Sequence, residues 1–170
     1  RVTYQMNRPS LSIREGEEWI KLAKVSSASG HVRGTSIALM HAEALNIPSA
    51  RIERAKLLHQ QGQLHNALEL LNPGESVVKS LLKRSKSHAN DAKRTDVSER
   101  MLMIATWTHE AGLEAGDTMR ERFKQITDLT PESTDGWFHL GKYIDFLLEN
   151  ELKSARAAQS SSSAGPGHRS

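Results

Sequence analysis

The chain has 170 residues, of which 37% are hydrophobic, 5% aromatic and 25% charged, with a formal net charge of +3 and no cysteine. This length suits one ordinary domain or a few stacked repeats, and so thin an apolar content suits a core distributed along a helical solenoid. Without cysteine there are no disulfides, thiolate metal ligands or cysteine nucleophiles, and no apolar run approaches the roughly 18 residues of a membrane span, so no membrane partner is expected.

Residues 1 to 11, with Pro9, read as a lead-in. Ser12 followed by Glu15 matches a capping box, in which the two side chains satisfy backbone N–H groups at a helix start. It predicts a helix from about Ile13 to Ser29, with Trp19, Leu22, Ala23 and Ser26 on one face by their i, i+3, i+4, i+7 spacing. Gly30 breaks it. A second helix over Val32 to Leu45 places Ile37, Met40, His41 and Ala44 on a stripe, and Asn46 with Pro48 ends it and presets the next start. The third helix runs to about Gln61, with Ile52, Ala55 and Leu58 aligned. After Gly62 a fourth restarts with Leu64, Ala67, Leu68 and Leu71. Gly30 and Gly62 lie 32 residues apart, close to the roughly 34-residue period of tetratricopeptide-type hairpins. Neither hairpin buries its stripe alone, which is the physical reason to stack them.

Asn72-Pro73-Gly74 is a stop signal, and a short helix from Glu75 is expected to carry Val77, Val78, Leu81 and Leu82 inward. The first set of repeats therefore spans 12 to 82. Lys83 to Arg94 (KRSKSHANDAKR) has two alanines as its only apolar residues, which predicts a polar, basic loop or frayed helix over 83 to 95. Between Glu75 and Arg100 seven cations (Lys79, Lys83, Arg84, Lys86, Lys93, Arg94, Arg100) stand against four acids (Glu75, Asp91, Asp96, Glu99), so the whole net charge of +3 belongs to this segment.

The second set of repeats spans 96 to 158. Asp96 with Glu99 repeats the capping pattern and opens a helix to about Ala111, with Met101, Ile104, Ala105 and Thr108 inward and Trp107 at the edge of the stripe. Gly112 and Gly116 bracket a turn, Asp117 is expected to cap the next helix, and Met119, Phe123, Ile126 and Leu129 are its inward positions. Thr130-Pro131 closes that hairpin. In the last helix Trp137, then Leu140-Gly141, then Tyr143 approximates the first-helix signature of tetratricopeptide units, with Tyr143 one residue short of the usual place. This helix is expected to continue through Ile144, Leu147 and Leu148 to about Ala157. Residues 159 to 170 then form a disordered Ser/Gly/Pro tail, and the chain reads as an excerpt of a longer one. The expected fold is all-α, a TPR-like or HEAT-like helical-hairpin solenoid of about seven or eight helices.

Several stretches carry a resemblance. Trp19 to Lys24, Ile52 to Leu58 and His65 to Leu71 resemble the FAT region of phosphatidylinositol-3-kinase-related protein kinases. Asp135-Gly136-Trp137-Phe138-His139-Leu140-Gly141-Lys142-Tyr143 is most similar to the ATR type of DNA-damage checkpoint kinase. The resemblance covers about residues 16 to 149, with Ser133 standing where the family has a tryptophan. It implies a segment of a nuclear serine/threonine protein kinase, from the α-solenoid that precedes and clasps the kinase domain. Its partners would be that kinase domain, the adjacent solenoid, a second copy in a homodimer and regulatory proteins. The parent would use ATP and magnesium; no cofactor is expected in this segment.

The residues themselves point to no chemistry of their own. His59 and His65, six apart, match no common helical metal spacing and lack a completing carboxylate. Gly30 to Gly34 lacks the Gly-Lys-Ser/Thr ending and the preceding strand of a phosphate loop, and no His-Arg-Asp or Asp-Phe-Gly occurs. Catalytic, cofactor and metal residues are therefore expected to be none. Lys79, Lys83, Arg84, Lys86, Lys93 and Arg94 are the candidate contacts to an acidic partner. No aromatic interleaves them for base stacking, so direct nucleic-acid binding is not expected. Ser85 and Ser87 beside them are candidate phosphorylation sites.

The structural repeat signature comprises Trp19, Leu22, Gly30, Ala55, Gly62, Ala67, Trp107, Pro131, Trp137, Leu140, Gly141 and Tyr143. The tryptophans are expected to pack between helices, where truncation of a fully buried ring costs roughly 3–5 kcal/mol. The rival function is a free-standing TPR-like adaptor, whose groove Lys21, Lys24, Arg54 and Lys142 would line.

Overall fold

The computed structural model describes residues 8 to 83 and 91 to 162. These form eight helices: α1 (Arg8–Ala28), α2 (Val32–Ala44), α3 (Pro48–Gln60), α4 (Leu64–Leu71), α5 (Glu75–Lys83), α6 (Asp91–Glu110), α7 (Gly116–Leu129) and α8 (Thr134–Ser162). No strand occurs among the described residues, and the fold is all-α in the manner of a helical-hairpin solenoid. The chain divides into two compact units, residues 1 to 73 and 74 to 170.

Four of the helices, α1, α2, α3 and α6, end by one repeated device. Gly30, Asn46, Gly62 and Gly112 lie in the left-handed region with φ of 73°, 56°, 76° and 66°. In each case the next N–H reaches back five residues: His31 to the Ser26 carbonyl at 2.8 Å, Ile47 to Ala42 at 3.1 Å, Gln63 to Leu58 at 2.9 Å and Leu113 to Thr108 at 2.9 Å. This satisfies carbonyls that a helix end leaves unpaired and reverses the chain in very few residues. Glycine adopts the conformation at no steric cost, and asparagine is among the few other residues that tolerate it.

In the first unit, α1 contributes Ile20 and Ala23, and α2 contributes Ala38, Leu39 and Ala42. Ile47, Ala50 and Leu57 complete the core, with Trp19 and Leu45 at its margin. Four alanines in this set let the helix axes come close. Gly16 takes the same principle furthest, because a Cβ there would fall on the Ile47 side chain. Replacing Gly16 by alanine gains up to ~1 kcal/mol of helix propensity. Displacing the buried Ile47 costs about 1–3 kcal/mol, so the net effect is a loss. Gly16→Val should lower the thermal midpoint further than Gly16→Ala, whereas a rise for both would mean that Ile47 moves aside freely.

In the second unit, Val78 and Leu81 of α5, Val97, Met101 and Ala105 of α6, Met119, Phe123, Ile126 and Leu129 of α7, and Tyr143 of α8 form one cluster. Ile104 and Thr108 are also buried, so the whole stripe expected on α6 faces inward, as do the four positions expected on α7. Tyr143 is 2% exposed and donates its hydroxyl to the Gly116 carbonyl at 3.0 Å, fixing α8 to the start of α7. Around it stand Phe123 at 5.5 Å and His109 at 5.1 Å between ring centroids.

Several expectations need correction. α1 starts at Arg8, so Ser12 and Glu15 lie within the helix and not at its start, and part of the lead-in is helical. The inward face of α1 passes through Ile20, leaving Leu22 at 48% exposure. On α2 the buried positions are Thr35, Ala38, Leu39 and Ala42, while Ile37 and Met40 face outward. Leu82 of α5 is exposed. Lys83 and residues 91 to 95, expected in a loop or frayed helix, are helical. Asp117 does not cap α7, whose N-cap is Ala115; it sits in the first turn and pairs with Arg120 at 3.0 Å. α8 continues through residues 159 to 162, which were expected in the tail.

Candidate functional site

The repeat-signature residues fall into three groups. Ala55, Ala67 and Tyr143 are buried, with Leu140 half-buried beside Tyr143 in the second core. Gly30 and Gly62 make turns, and Gly141 is exposed with open space around it. The aromatic and turn residues depart from simple core packing. Trp19 is half-buried and stacks on His41 at 4.3 Å, Trp107 is half-buried, and Trp137 is 54% exposed.

Trp137 is one residue, or ~100° of helix, past Gly136, which is buried against Ile126 and Thr127 of α7. Its indole N–H donates to the Pro131 carbonyl at 2.9 Å. The ring therefore pins the α7–α8 turn from outside. Trp137→Ala should cost only about 1–2 kcal/mol in a denaturant melt, against the roughly 3–5 kcal/mol of a buried ring. A loss in the higher range would place the ring in the core.

Among the described residues the basic candidates do not form one patch. Lys79 pairs with Glu75, whose carboxyl is held below its ordinary value by that hydrogen bond. Lys83 and Lys93 are exposed, and Arg84, Lys86, Ser85 and Ser87 lie outside the described residues. Arg94 is buried and donates from Nη2 to the Leu81 carbonyl at 3.0 Å, in the last turn of α5. A cation there satisfies an end carbonyl and meets the negative end of the helix dipole, so this arginine joins α5 to α6.

The cations that would line an adaptor groove are similarly engaged. Lys21 pairs with Glu18 at 2.7 Å and Lys24 with Glu53 at 3.7 Å. Arg54 forms a two-pronged pair with Glu43 (Nε–Oε1 3.0 Å, Nη2–Oε2 2.8 Å) and reaches Ser36 Oγ at 3.3 Å, which ties α3 to α2. The Glu43 hydrogen bond holds the Arg54 guanidinium above its ordinary pKa. Lys142 is exposed on α8, in the other unit.

A real concavity lies elsewhere, in a groove of about 680 Å³ between the first half of α6 and the α7–α8 turn. Leu102, Leu129 and Pro131 supply its apolar lining. Ser98 and Thr130 share a hydroxyl–hydroxyl hydrogen bond of 2.8 Å in it, and Thr130 Oγ1 is also 3.3 Å from the Ile126 carbonyl. Asp91, Glu99, Glu132 and Asp135 line it too, all of them exposed residues. Sequence reading missed this groove because its parts come from segments about 40 residues apart, none with a motif.

Two apolar faces remain uncovered within their units. Leu22 and Val25 of α1 and Ile37 and Met40 of α2 are between 48% and 64% exposed. On α8, Trp137, Gly141, Ile144, Leu148 and Leu152 recur at spacings of three and four, forming a second stripe about a third of a turn from the one through Tyr143. Its large members are 40% to 57% exposed. Among the described residues no group of three or more His, Asp or Glu side chains is placed to hold a metal ion, and no helix is long and apolar enough to cross a membrane.

The chain is similar to the serine/threonine-protein kinase ATR of Arabidopsis thaliana, at 27% identity over 175 aligned positions that cover 91% of this chain and 6% of the kinase. The similarly named kinases of Oryza sativa subsp. indica and subsp. japonica are each 24% identical over 186 positions, covering 98% of this chain and 7% of the kinase. The chain thus spans less than a tenth of the length of these relatives. No family model matches it, and no solved structure does.

Proposed function

We propose that this chain, similar along nearly all its length to a short stretch of ATR-type kinases, is a non-catalytic helical-repeat segment of the FAT region of an ATR-like serine/threonine protein kinase. It positions and regulates the kinase domain in DNA-damage checkpoint signalling, in the nucleus, while ATP and magnesium are bound elsewhere in the parent chain. The observation that carries this reading is the near-complete coverage of the chain by relatives of which it is only 6–7%.

The physical role is to hold and relay. Hairpins with small residues at their contacts form stiff units, and a helix with two apolar stripes is suited to lie between two neighbours. The stripe of Trp137, Ile144, Leu148 and Leu152 is the docking face for the next helices of the parent solenoid, and Gly141 at its middle admits a close approach. The proposed partners are therefore the adjacent solenoid and, through it, the kinase domain, with homodimer and regulatory contacts made by the assembled parent. The complete coding sequence tests the assignment. It should encode further helical repeats and then a kinase domain with its catalytic Asp and Asn and metal-binding Asp; a coding sequence with no kinase domain contradicts it.

A further inference from the structure

We infer that the groove between α6 and the α7–α8 turn docks a peptide segment of another protein that carries lysine or arginine beside an apolar anchor residue. This goes beyond the scaffold reading and does not depend on it. The groove has the two parts such a segment needs. Leu102, Leu129 and Pro131 give an apolar seat for the anchor, and Glu99, Glu132 and Asp135 place carboxylates around it. Among the described residues the one cation in the lining is Arg94, whose Nη2 is directed to the Leu81 carbonyl. The Ser98–Thr130 hydrogen bond and the Trp137 bond to Pro131 hold the opposing walls in place, so little ordering accompanies occupation.

Charge complementarity selects the occupant. The chain's net +3 lies between Glu75 and Arg100, the segment that supplies the α6 wall, so a basic peptide gains nothing from the surrounding field. Attraction must come from the groove's own carboxylates, and it falls as salt screens them. An acidic peptide or a nucleic acid would meet like charge at the rim.

The experiment uses the full 170-residue chain and two short fluorescein-labelled peptides, each with a central Leu-Trp pair, flanked in one by Lys and Arg and in the other by Glu. Fluorescence anisotropy should give saturable binding of the basic peptide, weakened by added salt, and none of the acidic one. The Glu99→Lys/Asp135→Lys variant should bind the basic peptide at least about tenfold more weakly. The matched control Glu121→Lys/Glu149→Lys, on exposed positions of α7 and α8 outside the groove, should bind within about twofold of the parent. Backbone amide shifts of the unsubstituted chain, followed by NMR during the titration, give a readout that does not depend on the variants folding. They should move at Ser98, Leu102 and Leu129. The inference is overturned by no saturable binding of the basic peptide, by equal losses in both variants, by stronger binding of the acidic peptide, or by shifts confined to residues outside the groove.

Discussion

Replacing Tyr143 by alanine is expected to destabilise the second unit by about 3–5 kcal/mol, the range for removing a buried aromatic side chain. The ring touches three helices' worth of partners: Phe123 of α7 at 5.5 Å, His109 of α6 at 5.1 Å and, within α8, Phe146 at 6.1 Å. Its hydroxyl also satisfies the Gly116 carbonyl at the turn before α7. Tyr143→Phe keeps the ring and gives up only that hydrogen bond, for about 1 kcal/mol. Urea unfolding followed by circular dichroism separates the two.

A second signature is pH. Burial disfavours the phenolate and raises the Tyr143 pKa above its ordinary 10.0, and Asp117 adds to the rise. The unfolded chain therefore releases this proton more readily, and the associated stability, present below the unfolded value, is lost as pH rises through the folded one. Tyr143→Phe should have a shallower loss of stability above about pH 10 than the parent. Equal slopes would contradict the buried phenol.

Leu39→Ala is expected to cost about 2–5 kcal/mol in the first unit, whereas Met40→Ala next to it should stay within about 0.5 kcal/mol. Leu39 is fully buried between α1 and the start of α3, and its truncation leaves a cavity that the surrounding alanines cannot fill. Met40 is 61% exposed. The stripe read from the sequence alone, through Ile37, Met40 and Ala44, gives the opposite ranking, so denaturation of the two variants decides which face of α2 is inward.

That contrast marks what the sequence makes legible. Helix limits were readable wherever chemistry leaves one option: Gly30, Gly62 and Gly112 supply the left-handed residue, and Asn46 ahead of Pro48 ends α2. The inward face of α7 was also readable, because its apolar residues keep to one stripe; on α6 the expected positions are buried although Leu102, Met103 and Trp107 lie on other sides of the helix. In α1, α2 and α8 the large apolar residues occupy more than one side of the helix. Leu22, Met40 and Trp137 then compete on size with Ile20, Ala38 and Gly136, and spacing alone cannot rank them. The close contacts are made by the small residues, whose value lies in what they let approach.

Polar positions hid their roles for a related reason. Arg94 sits in a run that reads as a solvated basic loop, yet its work is to close the end of α5 across a tertiary contact. The groove shares this character, since Ser98 and Thr130 meet only after α6 and α7 have packed. Neither is encoded in local periodicity. Tyr143 shows the converse: its displacement by one residue from the usual repeat position places it on the face with Leu140 and Leu147, where the core lies.

The central claim is the proposal that the uncovered stripe of α8 docks further helices of an ATR-like kinase. It is tested most directly by Ile144→Asp/Leu148→Asp in the full-length parent chain, proposed to be that kinase, purified and assayed for phosphorylation of a substrate peptide. Both side chains are on the uncovered stripe, so the 170-residue chain itself should keep its melting behaviour. In the parent, burying two carboxylates against an apolar neighbour should disrupt docking and change kinase activity by at least about tenfold. A parent kinase with unchanged activity and unchanged protease sensitivity around α8 would contradict the claim.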